Sequence, residues 1–182
     1  MNNYEKKLLA INNLWAFGAG MLGPLFAVFA EGIGGNILSI SWAWALYLIV
    51  TGFGIKVFGK ISDRSSKRMM ILAGLFITTL STFGYLLVNS SMDLLILQIF
   101  LGLGLSLFLP SWNALYDKYS GDGINDGYIW GAAKGDWYLF SGVALVVGGL
   151  VVTYFSFFFL FLFMGLVHLL GFFHAMYFLK NE

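Results

Sequence analysis

Charged residues are so widely spaced along this chain that long stretches carry none. None falls between Lys7 and Glu31, between Glu31 and Lys56, between Arg68 and Asp93, or between Asp93 and Asp117. Each gap is close to the roughly 20 residues a helix needs to cross a bilayer. A longer uncharged run extends from Asp136 to Lys180. As one helix it would be roughly 65 Å long, twice the hydrocarbon thickness, so it reads as two spans that turn at Thr153-Tyr154-Phe155-Ser156. The pattern predicts spans over 8–30, 37–58, 69–88, 93–116, 135–153 and 157–179. That is an all-α membrane protein of six transmembrane helices, one domain covering 1–182. The runs are continuous and do not alternate, which favours helices over a β-barrel. Lys6 and Lys7 precede the first span as they would in a signal peptide, but the apolar stretch is too long for one.

Composition agrees. The chain is 59% hydrophobic, 19% aromatic and 10% charged, where soluble domains carry about 25% charge. A water-soluble fold of this size cannot hide so much apolar surface; a lipid bilayer removes the need. Net charge is +1, so no nucleic-acid partner is expected.

The side on which charges fall sets the expected orientation. With the N-terminus inside, all ten basic residues lie on one face: Lys6, Lys7, Lys56, Lys60, Arg64, Lys67, Arg68, Lys118, Lys134 and Lys180. The outer connections carry only Glu31 and Asp93. Both ends are therefore expected in the cytoplasm, in a plasma or inner membrane, with cytoplasmic connections at 59–68 and 117–134.

Neither enzyme chemistry nor a cofactor is expected. There is no Cys, so thiolate catalysis, disulfides and Cys-ligated metals are excluded. The run Asp122-Gly-Ile-Asn125-Asp126-Gly127 glances at a calcium loop, but Ile124 stands at a ligand position and no Glu closes the loop. Residues 121–135 read instead as a flexible, Gly-rich connection. No phosphate-binding loop, HExxH or nucleophile elbow is present.

Polar and small residues mark faces of the spans. Ala16, Ala19, Gly20, Gly23 and Ala27 form a stripe in span one that suits close helix packing or a cavity wall. In span four, Gln98, Gly102, Ser106, Asn113 and Tyr116 share a face within about 80°. Bare polar groups in lipid are costly, so this face should meet protein or a watery cavity. Span five offers Ser141, Gly142, Ala144, Gly148 and Gly149 for tight contact. His168 is the one titratable side chain deep in a span, read as hydrogen-bonded between helices or as a coupling group; His174 lies nearer the inner end.

Spans one and four also resemble each other. Gly18-Ala-Gly20, Pro24 and Glu31 are echoed by Gly102-Leu-Gly104, Pro110 and Asp117, with the acid seven residues after the proline in both. Three spans per unit would make the repeats 8–88 and 93–179 inverted in the membrane, a transporter pattern; chance recurrence of Gly and Pro is the alternative.

The second connection reads Gly59-Lys60-Ile61-Ser62-Asp63-Arg64-Ser65-Ser66-Lys67-Arg68. It resembles the signature loop between helices two and three of the major facilitator superfamily, Gly-x-Leu-Ala-Asp-Arg-x-Gly-Arg-Lys. Gly59, Asp63, Arg64, Lys67 and Arg68 match; Ser66 stands where a Gly is usual. Gly59 would allow a close turn at a helix end. Pro110, Ala114 and Asp117 resemble the family's helix-four ending, and Gly148-Gly149 its helix-five glycines. Gln98 replaces an Arg associated with proton coupling, and Ala144-Leu145 replaces the Gly-Pro of the antiporters, so the resemblance does not extend to proton-coupled drug export.

The resemblance covers one six-helix half of a twelve-helix fold. It implies a half-size transporter protomer for a small neutral or amphipathic solute, working as a parallel homodimer or with a separate second half. Lys134 and Asp136 of one copy would then meet Asp63 and Arg64 of the other. The expected solute contacts are Asn12, Trp15, Gln98, Trp112 and Asn113. The rival expectation is a non-transporting membrane subunit, or a fragment of a full-length transporter.

Overall fold

A backbone in lipid has no water to bond, so it satisfies its own amides as helix. The computed structural model describes residues 3–120 and 126–180, and its elements are helical throughout. They are α1 (Asn3–Gly20), α2 (Leu25–Gly32), α3 (Ile37–Ser62), α4 (Lys67–Gly84), α5 (Ser91–Ser120), α6 (Asp126–Tyr154) and α7 (Phe157–Phe178); a 3₁₀ turn at Tyr85–Leu87 ends α4. Five helices, α3 to α7, are long and apolar enough to cross a membrane, and α1 with α2 makes a sixth only as a pair bent by 46°.

The first span is thus not the continuous helix expected over 8–30. Its break has a local cause. Proline disfavours helical geometry in the residue before it, and here that residue is Gly23, which adopts φ +25° at no Cβ cost. Pro110 sits inside α5 without breaking it. The residue before it is Leu109, whose side chain does not permit the same escape.

The connections are also shorter than expected. The helices α3 and α4 run into the 59–68 segment and leave only 63–66 between them. Likewise α5 continues to Ser120 and α6 begins at Asp126, so most of 117–134 is helix. The part of the calcium-like run before Asp126, and of the Gly-rich connection, lies outside the described residues. The turn after α6 falls where its mildly polar residues placed it, with α7 starting at Phe157.

Packing follows the small residues. The principal helix pairs are α3 with α5, α5 with α4, α4 with α7, α7 with α1, and α1 with α6. In α5, a Cβ on Gly102 would strike α3 at the Tyr47 carbonyl, and one on Gly104 would lie 3.0 Å from the Gly74 carbonyl of α4. In α1, Gly20 lies against the Ser141 backbone of α6 and Gly18 against the His168 ring of α7. The span-one stripe is therefore divided: Ala16 and Gly20 pack against other helices, Ala19 and Gly23 line a cavity, and Ala27 is exposed. Of the span-five set, Gly148 packs on the Met21 backbone, whereas Gly142 and Gly149 have nothing within 4 Å.

Two apolar clusters fill the bundle. One, around Phe29, Tyr85 and Phe161, occupies the end that carries the Glu31 and Asp93 connections. The other, around Leu8, Phe108 and Trp112, occupies the end that carries the Asp63 connection.

Candidate functional site

The α3–α4 connection is built from caps. Asp63 closes α3, its amide donating to the Gly59 carbonyl at 3.3 Å, and Arg64 N–H donates to the Ile61 carbonyl at 3.0 Å. Ser66 caps α4 by accepting from Met69 N–H at 3.3 Å, which is what a Ser gains at a position where a Gly offers no side-chain oxygen. Lys67 reaches back to the Ser62 carbonyl at 3.4 Å. Arg68 donates to the Lys180 carbonyl at 3.0 Å, tying α4 to the segment after α7. Asp63 and Arg64 are exposed and line a shallow hollow with Lys60 and Ile61. Gly59 is helical, without the positive φ of a tight turn, and a Cβ there would make only an ordinary contact with Pro110 of α5 at 4.0 Å, so neither feature requires a glycine.

Two cavities lie one above the other, and Trp15 and Tyr47 border both. The first, about 230 Å³, lies among α1, α3, α5 and α6 and is lined by Asn12, Trp15, Trp112, Lys134, Trp137 and apolar residues. Its wall is aromatic: Trp15 lies 4.9 Å from Trp137 and stacks on Phe108 at 5.9 Å. Trp112 stacks on Tyr116 at 4.8 Å and spends its indole N–H on the Leu8 carbonyl at 2.9 Å, leaving only its ring face to a solute.

The second cavity, about 130 Å³, lies toward the Glu31 end, bordered by the exposed Trp44, and takes in Gln98, Thr78, Thr82 and His168. There Gln98 donates to the Tyr85 hydroxyl at 3.3 Å. Thr82 Oγ1 and His168 Nδ1 are 2.9 Å apart, both buried, so the interhelical bond expected of His168 joins α7 to α4.

The five expected solute contacts therefore do not form one set. Trp15 borders both cavities, Asn12 and Trp112 border the first, and Gln98 the second; Asn113 lines neither. The polar face of α5 is divided in the same way. Ser106 packs against Gly54 of α3, and the Tyr116 hydroxyl donates to the Ile129 carbonyl of α6 at 3.0 Å. Sequence reading missed Tyr47 and Trp137. Neither carries a pattern signal, since aromatic residues are scattered along every span. Lys134 is exposed at the rim of the first cavity. Asp136 already accepts a bond from Asn13 of α1 at 3.1 Å.

The family model of the Major Facilitator Superfamily matches residues 8–182. The chain belongs to the Major Facilitator Superfamily. None of the curated proteins matches it. The superfamily is one of membrane transporters, and with its apolar helices the chain is a transporter-type, integral, multi-pass membrane protein. Gly59, Asp63, Arg64, Lys67 and Arg68, which resemble the superfamily's loop, lie within the matched residues, at the junction of α3 and α4.

Proposed function

We propose that the chain is one six-helix unit of a superfamily transporter and moves a small neutral or amphipathic solute by pairing with a second six-helix unit. One observation carries this reading. The aromatic cavity of α1, α3, α5 and α6 opens on the face flanked by the two least buried helices: only 17% of the most apolar stretch of α3 and 11% of that of α6 are buried. A second unit laid on this face would cover both helices and close the cavity between the two. The α1–α2 pair counts as one span in this reading, which gives six.

The packing supports an inverted repeat. If the first three spans are exchanged with the last three, the principal helix pairs map onto themselves: α3 with α5 becomes α6 with α1, α5 with α4 becomes α1 with α7, and α4 with α7 is unchanged. In each of α1 and α5 one glycine faces each of its two neighbours. Such repeats accompany alternating access around a midplane site.

The basic residues support a cytoplasmic location for both ends, so two copies insert in parallel. In a homodimer the exposed Asp63 and Arg64 of one copy meet Lys134 and Asp136 at the start of the other's α6. Cysteine crosslinking in native membranes between positions 63 and 134 tests the pair, and uptake of a neutral-solute panel into proteoliposomes tests the transport. Solute uptake lost in Trp15→Ala is the expected result; no uptake of any solute, with no crosslinked pair, removes the proposal.

A further inference from the structure

Asn12 of α1 is 4% exposed and lines the aromatic cavity of α1, α3, α5 and α6. Its side-chain amide has no hydrogen-bond partner among the described residues. Nor is that amide sealed off. Asn13 Oδ1 and Asn113 Oδ1 are unpaired atoms without accessible surface, whereas neither amide atom of Asn12 is in that position. The little surface that Asn12 keeps is therefore turned to the cavity.

The rest of the wall narrows the chemistry. Half of the lining residues are aromatic: Trp15, Tyr47, Trp112, Trp137 and Tyr138. Trp112 has already given its N–H to the Leu8 carbonyl, so it offers a ring face and no polar atom. Among the described residues no acid lines the cavity, and its one charged residue, Lys134, stands exposed at the rim. Polar recognition away from the rim thus falls to Asn12.

Aromatic walls favour planar rings, which stack on them or meet them edge-on. The Asn12 amide carries donor N–H groups and an acceptor oxygen in one plane. A group that uses both at once must present an acceptor and a donor side by side, as a second amide does; asparagine meets the N6/N7 edge of adenine in the same manner. A carboxylate only accepts and would leave the Asn12 oxygen unmatched. An ammonium only donates and would leave the Asn12 N–H unmatched.

We propose that the solute is a flat aromatic compound with a carboxamide or lactam edge, the edge paired with Asn12 and the ring laid against the tryptophan wall. This inference rests on the reading of the chain as a transporter unit and names the solute class of its cavity. Every residue it uses belongs to one chain, so binding is measurable without pairing or uptake.

The test is titration calorimetry on the full chain in nanodiscs, one chain per disc, with the heat from empty nanodiscs subtracted. The probes are benzamide, N,N-dimethylbenzamide, benzoate and cyclohexanecarboxamide. Benzamide should bind saturably, roughly tenfold more tightly than the dimethyl compound or benzoate and roughly fivefold more tightly than the cyclohexane compound. Asn12→Leu, similar in size, should weaken benzamide roughly tenfold and leave the dimethyl compound unchanged. Trp137→Leu should instead remove the preference for the aromatic ring and keep the preference for the free amide; it decides the matter if Asn12→Leu does not fold. The proposal is overturned if benzamide does not saturate, if benzoate or the dimethyl compound binds as well, or if Asn12→Leu weakens both benzamides alike. Selective benzamide binding without uptake in proteoliposomes would remove the transport reading and keep this one. Uptake of neutral solutes with no preference for benzamide would do the opposite.

Discussion

The helices α4 and α6 are both strongly apolar, yet they have different surroundings. Half of the most apolar stretch of α4 is buried against other helices, but 11% of that of α6. In α4, a Cβ on Gly74 would sit 2.6 Å from the Gly104 carbonyl. In α6, Gly142 and Gly149 face open space. In a membrane protein, apolarity says only that a surface avoids water. Whether it meets lipid, its own fold or another chain is decided by where small residues bring backbones together.

That contrast can be broken most sharply at the glycines. Gly74→Val should cost about 3 kcal/mol, because backbone rather than a movable side chain blocks it. Gly149→Val should cost less than about 0.5 kcal/mol in the single unit. Unfolding of both variants in mixed micelles compares them directly. Equal losses would show that α6 is packed as tightly as α4.

Next comes the polar tie of the packed region. Thr82→Val removes the contact with His168 and should cost about 1 kcal/mol by the same unfolding measurement, in the upper part of the range for hydrogen bonds between membrane helices. A similar loss is expected for Ser66→Ala, at about 1 kcal/mol, with Ser66→Gly costing only a few tenths. If Ser66→Gly proves the worse of the two, the cap is not what holds Ser66 there.

The smallest effect on the unit itself is expected on the open face. Asp63→Lys and Lys134→Asp should each change its stability by less than about 0.5 kcal/mol. Each should nevertheless reduce paired units in crosslinking, and the double exchange should restore them. Pairing that ignores all three variants would leave the open face facing lipid.

The spans themselves were legible because burying a charge in hydrocarbon is expensive, so charges punctuate the chain. Helix ends were less so. Lys56, Lys60 and Lys134 lie within helices that run past the apolar layer, and nothing about a charge stops a helix in water. The break at Gly23 needed the contrast with Leu109, which becomes visible only when two prolines behave differently. Within the site, Trp15 borders both cavities, which no periodicity along α1 announces. Asn113 was not separable from Gln98, since both share a face of α5 but lie four turns apart along it. Depth, unlike angle, decided which cavity each could reach.

Counted as one crossing, α1 and α2 have a height set by the bend between them. At 46° to α1, the eight residues of α2 add about 8 Å along the α1 axis, where a straight continuation would add about 12 Å. Glu31 is carried sideways instead of further out. A change in that angle would fit one crossing to bilayers that differ by a few ångströms in thickness, without dragging a carboxylate into oil or lifting apolar rings into water.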